Sequence, residues 1–260
     1  MSTDTTVAIV ANFKYLKRYA NNFFKQLRSN GNFNGEVILI TSKITPTFIF
    51  KAIRNDKNIR ILRFNKIKFS NQTKQTLSNL NTGDQPNRNN TKNFQWAKLN
   101  LFREDLKEWK YIFYLDINMH IHFDLSQLFK IKPNNKLLAR NDSYPDFVNT
   151  LSTQFDTTHD LYKEMEKNFN LNTKEYFQTG ILYFDTNIIS KNIYKEIINL
   201  VEKYPITVTN EQGILNIYFK YIYNLYEELP IKIGELKTYY YWLVPDENII
   251  ITKQNREKYK

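Results

Sequence analysis

Four polar side chains stand at two-residue intervals in the stretch YIFYLDINMHIHF, residues 111–123: Asp116, Asn118, His120 and His122. The large apolar residues before Asp116 are typical of a buried strand, so its carboxylate is expected at the carboxyl edge of a sheet. An unpaired carboxylate there would be costly to bury, and Mg²⁺ or Mn²⁺ readily accepts carboxylate and amide oxygens. The stretch therefore predicts a divalent metal site at Asp116. A carboxylate that caps a turn or helix is the alternative.

The geometry of an extended strand limits how many of the four polar side chains can share one ion. Alternate residues of a strand lie roughly 6.6 Å apart, and four of them spread over about 20 Å. We therefore predict Asp116 and Asn118 as the ligand pair. His120 and His122 are expected to support the site from outside or to lie on the surface.

A strand, helix, strand, helix, strand order precedes this stretch and predicts a parallel sheet with crossover helices. The predicted strands cover 7–11, 36–41 and 58–64, and the helices cover 15–29 and 46–55. Ligands of such sheets gather at the carboxyl ends of the strands. Downstream, 137–142, 180–187 and the NIIITK segment favour strands, whereas 94–108, 160–168, 190–203 and 211–223 favour helices.

The polar segment 65–93 lacks a clear period and carries Gly83, Pro86 and many Asn residues. We predict a partly ordered, flexible lid or loop.

The length and composition of the chain favour one soluble α/β domain. The chain has 260 residues, no cysteine and a net charge of +11, with lysine and arginine scattered among acids. Such a charge would suit nucleic acid, a lipid headgroup or a phosphorylated compound, but the scatter favours an ordinary basic surface. No signal peptide and no long apolar run is evident, so we expect a cytoplasmic protein without a membrane span.

Six motifs in order resemble GT-A glycosyltransferases, in particular the glycogenin-like family 8 group. YLDIN is similar to that group's Asp-x-Asp metal motif, and NEQGILNIYF (210–219) to its Asp-Gln-Gly-Ile/Leu-Leu-Asn signature. FQTGILYFD (177–185), LLARND (137–142), VAIVANFKY (7–15) and WAKLNLF (96–102) resemble further segments. The resemblance implies one GT-A-type, Rossmann-like domain with a mixed, mostly parallel sheet flanked by helices on both faces. Residues 1–124 would form the nucleotide-sugar half and 125–260 the sugar and acceptor half.

The resemblance also implies an activity, namely transfer of a sugar from a nucleotide-diphosphate donor to a hydroxyl acceptor with retention of anomeric configuration. A UDP-sugar is the first candidate for the donor, a glycan or protein hydroxyl is the expected acceptor, and Mn²⁺ or Mg²⁺ is the expected cofactor.

The donor-binding residues follow from the same resemblance. Asn12 and Tyr15 would approach the base, and Lys98 would meet the diphosphate or the sugar. Gln178 would hold the sugar's hydroxyls, and Gly180 would allow the backbone to approach the ligand closely.

Three residues carry the implied catalytic roles. Asp142 would hold the sugar, Glu211 would orient the acceptor or the sugar, and Gln212 would lie near the anomeric carbon.

The chain departs from the family pattern at its metal ligands. Asn118 is a neutral amide where a second carboxylate is usual, and the family's C-terminal His-Phe-x-Gly-x-x-Lys-Pro-Trp segment is missing. The third ligand could be a histidine of the 111–123 stretch, a water or nothing, which leaves metal dependence open.

Two other classes of protein remain as alternatives. A non-catalytic sugar-nucleotide or glycan-binding protein would bind UDP without turnover. A basic nucleic-acid-binding protein would bind oligonucleotides in a salt-sensitive manner. The aromatic residues fall mostly in apolar strands and helices, which favours a core role over base stacking, so no nucleic-acid partner is expected. The sequence does not indicate an oligomeric state.

Overall fold

A computed structural model describes residues 4–53, 56–80, 92–143, 149–240 and 248–253. Its seven-stranded central sheet has the order β3-β2-β1-β4-β7-β6-β8. These strands are β1 (Thr5–Val10), β2 (Val37–Ser42), β3 (Ile59–Phe64), β4 (Tyr111–Leu115), β6 (Leu137–Ala139), β7 (Ile181–Asp185) and β8 (Tyr226–Glu228). A second sheet has the order β5-β11-β10-β9, formed by β5 (Met119–Ile121), β9 (Lys232–Ile233), β10 (Leu236–Tyr240) and β11 (Ile249–Lys253).

The central sheet is mixed. Strands β3, β2, β1 and β4 run parallel, β7 is antiparallel to both β4 and β6, and β6 is parallel to β8. This pattern brings the end of β4, the start of β7 and the end of β6 to one edge, where Leu115 pairs with Ile181. The carboxyl ends of β1, β2 and β3 lie at the same edge.

Six α-helices are described: α1 (Phe13–Ser29), α2 (Asn71–Asn79), α3 (Ser126–Phe129), α4 (Asp160–Asn168), α5 (Ile193–Lys203) and α6 (Glu211–Asn216). Helix α1 buries Leu16, Phe23 and Leu27 in one apolar cluster, whereas α5 buries Ile197 and Val201 in another.

The two clusters lie on opposite faces of the sheet because side chains alternate along a strand. Val7 and Ile9 belong to the cluster of α1, and Ala8 to that of α5. The predicted α/β architecture, with helices on both faces of the sheet, is confirmed.

The 111–123 stretch is not one continuous strand, contrary to the extended geometry assumed from its alternation. Strand β4 ends at Leu115, and a turn follows in which the Met119 amide donates to the Asp116 carbonyl at 3.0 Å. Strand β5 then joins the second sheet by pairing with β11. The turn arises because chain pairing changes from β7 to β11 at this point.

Other predicted elements differ in type. Residues 94–108 form two 3-10 helices, Asn93–Phe102 and Glu104–Glu108, separated by extended backbone at Arg103. The helix predicted at 46–55 is the 3-10 helix Thr47–Ala52. The helix predicted at 211–223 is α6 continued by the π-helix Ile217–Ile222.

The predicted lid at 65–93 contains helix α2, and residues 81–91 lie outside the described part of the chain. Ser70 caps α2, and Glu202 of α5 accepts hydrogen bonds from the Ser70 amide at 2.7 Å and the Thr73 hydroxyl at 2.5 Å. Burial raises the pKa of Glu202, but the bonds from Thr73 and Ser70 outweigh it and hold the pKa below its ordinary value. Glu202 thus ties α2 to α5.

Within the described ranges, no helix has the length and apolar character needed to cross a membrane.

Candidate active site

Asp116 lies at the carboxyl end of β4 and faces two lysines. Its Oδ2 is 2.5 Å from Lys253 Nζ, and its Oδ1 is 3.2 Å from Lys98 Nζ. The Tyr114 hydroxyl also donates to Oδ1 at 2.6 Å. The Asp116 amide donates to the Gly180 carbonyl at 2.9 Å, which fixes the turn against the start of β7.

Lys98 comes from the Asn93–Phe102 helix, and its side chain is only 7% exposed. Its ammonium group faces four oxygens: Asp116 Oδ1 at 3.2 Å, Glu211 Oε1 at 2.8 Å, and the carbonyl and hydroxyl of Thr179 at 3.1 and 3.2 Å. An ammonium group has three N–H donors, so these protein oxygens saturate it. Lys98 therefore holds two carboxylates in place.

The ionic contacts of this site are visible in the pKa values. Burial alone raises the pKa of Asp116, but the charges of Lys253 and Lys98 outweigh it and leave that pKa well below its usual range. Burial alone lowers the pKa of Lys98, but Asp116 and Glu211 outweigh it and leave that pKa raised. For Lys253, burial prevails over the attraction of Asp116, and its pKa is lowered.

Glu211 opens helix α6 and is 1% exposed. Its Oε1 accepts from the Thr179 hydroxyl at 2.8 Å as well as from Lys98, while its Oε2 is buried and has no hydrogen-bond partner among the residues that the structure describes. The preceding residue, Asn210, has φ 60° and ψ −122°, a conformation that side chains other than glycine rarely adopt. The strained turn at Asn210 directs Glu211 into the site.

Gln212 continues the network toward the sugar-binding residues predicted from the sequence. Its Oε1 accepts from the Thr179 amide at 3.2 Å. Its Nε2 donates to Asp142 Oδ2 at 3.1 Å and to Gln154 Oε1 at 2.9 Å. Five of the predicted residues are therefore joined through Thr179: Asp116, Lys98, Glu211, Gln212 and Asp142.

Asn216 and Gly213 fit helix α6 against its neighbours. The Asn216 side chain donates to the Phe177 carbonyl at 2.7 Å and accepts from the Phe177 amide at 2.8 Å. A Cβ on Gly213 would lie 2.9 Å from the ring of Phe155. The small residue lets α6 approach closely enough to hold the backbone that precedes Thr179.

The predicted base-binding residues lie at the start of α1. Asn12 caps this helix by accepting from the Tyr15 amide at 3.0 Å. Asn12 also lines a cavity of about 630 Å³ at the carboxyl ends of β1, β2 and β3, whose other wall includes Trp96 and Asn100 of the segment that carries Lys98. Tyr15 is half-buried and lies close enough to Tyr114 to help raise its pKa, although burial is the main cause of that shift.

The remaining predicted residues, Gly180, Gln178 and Asn118, lie near this network. Gly180 contributes its carbonyl to the turn at Asp116. Gln178 is 5% exposed, and its amide donates to the Arg140 carbonyl at 3.1 Å. Asn118 is half-buried in the turn, and within the described ranges its side chain forms no hydrogen bond.

The residues present do not make a conventional divalent metal site. Lys98 and Lys253 face both oxygens of Asp116, and Asn118 offers only a neutral amide. The described part of the chain contains no cluster of three His, Cys, Asp or Glu side chains that could hold a metal.

The three histidines are engaged elsewhere. His120 Nδ1 is hydrogen-bonded to Gln26 Nε2 at 3.2 Å, and His122 Nε2 is hydrogen-bonded to Thr252 Oγ1 at 2.8 Å. His159 caps the N-terminus of α4. Burial lowers the pKa of His120 and His122.

Sequence reasoning missed Lys253, Tyr114 and Gln154 as site residues. Thr179 lies in the FQTGILYFD segment and was not singled out either, although it links both halves of the network. The run of three isoleucines in NIIITK predicts strand β11, but no local signal identifies the strand that it joins.

The family model for glycosyl transferase family 8 matches residues 6–258. No curated protein matches this chain in sequence. Among solved structures, the glycosyltransferase GlyE of Streptococcus pneumoniae TIGR4 has a TM-score of 0.54 and 18% identity, over 86% of this chain and 44% of GlyE. The chain thus spans less than half the length of GlyE.

Two further structures share the GT-A fold with this chain. The galactosyltransferase LgtC, solved with donor and acceptor sugar analogues, has a TM-score of 0.51 and 17% identity over 81% of this chain and 70% of LgtC. Core-mannan synthase A of Aspergillus fumigatus, in a Mn/GDP form, has a TM-score of 0.55 and 10% identity over 87% of this chain and 72% of the synthase. GT-A glycosyltransferases typically use a divalent metal. The family match confirms the predicted enzyme class: this chain belongs to glycosyl transferase family 8.

Proposed function

We propose that this chain transfers a sugar from a nucleotide-diphosphate donor, with a UDP-sugar as the first candidate, to a hydroxyl group of a glycan or protein acceptor. The observation that carries the proposal is the continuous network from Asp116 through Lys98, Glu211 and Gln212 to Asp142. Its residues come from both predicted halves of the chain. The site would therefore lie where the nucleotide half, 1–124, meets the sugar and acceptor half, 125–260.

The cavity beside Asn12 suits the nucleoside of the donor. Phe64, Phe94 and Trp96 contribute aromatic surface on which a planar base can pack. Lysines on the same lining, among them Lys14 and Lys66, attract a phosphate group. The base would enter the cavity with Asn12 and Tyr15 at its edge, and the diphosphate would point toward Asp116 and its lysines.

The second half of the network would hold the sugar. Asp142 and Gln212 are hydrogen-bonded to each other at 3.1 Å and can exchange that bond for bonds to sugar hydroxyls. The Gln178 side chain and the backbone at Gly180 would complete this part of the site. Glu211 orients Thr179 and Lys98 and, through them, fixes the distance between the sugar residues and the diphosphate residues.

The reaction breaks the bond between the anomeric carbon and the β-phosphate oxygen, and the electron pair leaves with the diphosphate. The acceptor oxygen forms the new bond to the anomeric carbon, and its proton is released to a phosphate oxygen or to solvent. Positive charge near the diphosphate stabilises this departure because negative charge grows there in the transition state. Retention of anomeric configuration is part of the proposal, and the anomeric coupling constant of the product in a ¹H NMR spectrum checks it.

Two sources of the positive charge compete. One is Mn²⁺ or Mg²⁺, for which the sequence predicts Asp116 and Asn118 as ligands; the fungal synthase was solved in a Mn/GDP form. The other is the pair of lysines already at Asp116.

The experiment that tests the function is a nucleotide-release assay on the purified chain. UDP-linked and GDP-linked hexoses are supplied with simple glycosides as acceptors, and the free nucleoside diphosphate is measured over time. Gln212→Ala should lower kcat about 10- to 100-fold, because it removes hydrogen bonds to the sugar subsite. Gln75→Ala, an exposed glutamine of α2 outside the cavity lining, is the matched control and should retain wild-type turnover.

Thermal shift with the same nucleotides separates binding from turnover, because a ligand of the folded state raises its Tm. Nucleotide binding without release of a diphosphate from any donor would favour a binding protein over an enzyme. Absence of any shift with UDP-linked or GDP-linked compounds would contradict the proposed donor class.

A further inference from the structure

Lys253 reaches Asp116 through the pairing of the second sheet. Strand β11 runs antiparallel to β5, and Lys253 stands opposite Met119, three residues after Asp116. A register slip of one residue would turn the lysine to the opposite face of the sheet. The sheet thus positions an ammonium group 2.5 Å from Asp116 Oδ2.

The Lys253 ammonium takes the position that a metal ion at Asp116 would need. A cation bound by this carboxylate must lie on Oδ1 or Oδ2, and Lys98 and Lys253 face these two oxygens. A divalent ion would also meet electrostatic repulsion from both ammonium groups.

The balance of charge among Asp116, Glu211, Lys98 and Lys253 indicates that Lys253 is needed for a diphosphate to approach. Among the described residues, the positive charges of Lys98 and Lys253 balance the negative charges of Asp116 and Glu211, so these four groups together are neutral. Without Lys253 the remaining three groups would carry one net negative charge and would repel a diphosphate. Lys253 is also the more exposed of the two lysines, with 16% of its side chain accessible against 7% for Lys98.

We propose that Lys253 replaces the divalent ion in this chain and binds the donor's diphosphate directly, so that the nucleotide binds without a metal. This inference rests on the proposed function, because it assumes that the site receives a nucleotide-diphosphate sugar. It assigns Lys253 as a substrate-binding residue and Lys98 as a positioning residue that holds Asp116 and Glu211.

The first test needs no variant. UDP binding to the full chain is measured by calorimetry after exhaustive treatment with EDTA, and again with added Mn²⁺. We expect the same dissociation constant in both conditions, and we expect that adding the protein causes no loss of the free Mn²⁺ signal in electron paramagnetic resonance beyond the loss caused by UDP alone. A requirement for Mn²⁺ would overturn the inference and leave the proposed function intact. Absence of UDP binding in both conditions would overturn the UDP donor assignment together with the inference.

The second test identifies the lysine. Lys253→Met should weaken UDP binding in EDTA about 10- to 100-fold, the effect expected when a hydrogen bond to a charged group is lost. Lys253→Arg keeps the charge and should restore most of the affinity. Lys232→Met removes the same charge from the edge strand β9, two strands away from β11 in the same sheet, and should bind UDP as the wild type does.

The Tm of each variant without ligand shows whether it is folded. Wild-type affinity in a folded Lys253→Met would overturn the assignment, and so would loss of affinity in a folded Lys253→Arg equal to that of Lys253→Met.

Discussion

Replacement of Lys98 by methionine should destabilise the fold because it leaves a buried carboxylate without its counter-ion. Methionine has nearly the same length as the lysine stem, so the change removes the ammonium group and little packing. Glu211 is 1% exposed and has Lys98 as its ion-pair partner, while Asp116 retains Lys253. The energetic cost therefore falls mainly on Glu211.

The magnitude follows from the partners that remain. In Lys98→Met, the Thr179 hydroxyl is the one hydrogen-bond donor left to the Glu211 side chain among the described residues, and we expect a loss of about 3–5 kcal/mol in unfolding free energy. In Glu211→Gln, Lys98 keeps Asp116 and both Thr179 oxygens, so we expect a smaller loss of about 1–3 kcal/mol. In the double variant, neither charge is left unpaired. Its loss should fall short of the sum of the single losses by about 1–3 kcal/mol.

Urea unfolding monitored by the fluorescence of buried Trp96 and Trp109 measures these free energies by linear extrapolation. Lys203→Met is the control, because Lys203 pairs with Glu164 at 3.8 Å while both side chains are largely exposed. Its unfolding midpoint should stay at the wild-type value. The reasoning is refuted if Lys98→Met is no less stable than Glu211→Gln, or if the two losses are simply additive.

Two further predictions concern the packing of α6 and the attachment of α2. Gly213→Ala places a Cβ 2.9 Å from the Phe155 ring and should lower the unfolding free energy by about 1–3 kcal/mol. Phe155→Leu in the same chain should restore much of that stability, and urea unfolding midpoints measure the single and the double variant. A double variant that is as unstable as Gly213→Ala would contradict the steric explanation. Glu202→Gln should lower stability at pH 7 by about 1 kcal/mol. The folded-state pKa of Glu202 is depressed, so its contribution is present above the unfolded-state pKa, about 4.3, and is lost as pH falls through the folded-state pKa. A wild-type-to-variant difference that is the same at pH 7 and at pH 3 would refute this role.

The local sequence pattern was sufficient for much of the fold. Strands β1, β2 and β4 were predicted because each is a short apolar run buried on both faces, and α1 because its apolar residues repeat with the helical period. The motif order also indicated family 8, which the family match confirms. Helical type was less predictable at 94–108, because its hydrophobic spacing of three and four residues fits both a 3-10 and an α-helix.

The residue types of the candidate site were also readable from the sequence. Asp116 was identified because a carboxylate after a buried strand needs a partner, and Lys98, Glu211, Gln212 and Asp142 because their motifs resemble those of the family. That these five form one network through Thr179 depends on helix α6 packing against the start of β7. No spacing within a single segment encodes that contact.

The amino-acid sequence by itself determined the strands, the main helices and the presence of an acid at the end of β4, because these depend on neighbours within a few positions. Only the tertiary structure decided which cation meets that acid. Lys253 is 137 positions away from Asp116 and reaches it through the register between β5 and β11. Strand pairing at such separation is set by the packing of the whole sheet, and this is why the sequence did not indicate that a lysine faces the acid predicted to bind a metal.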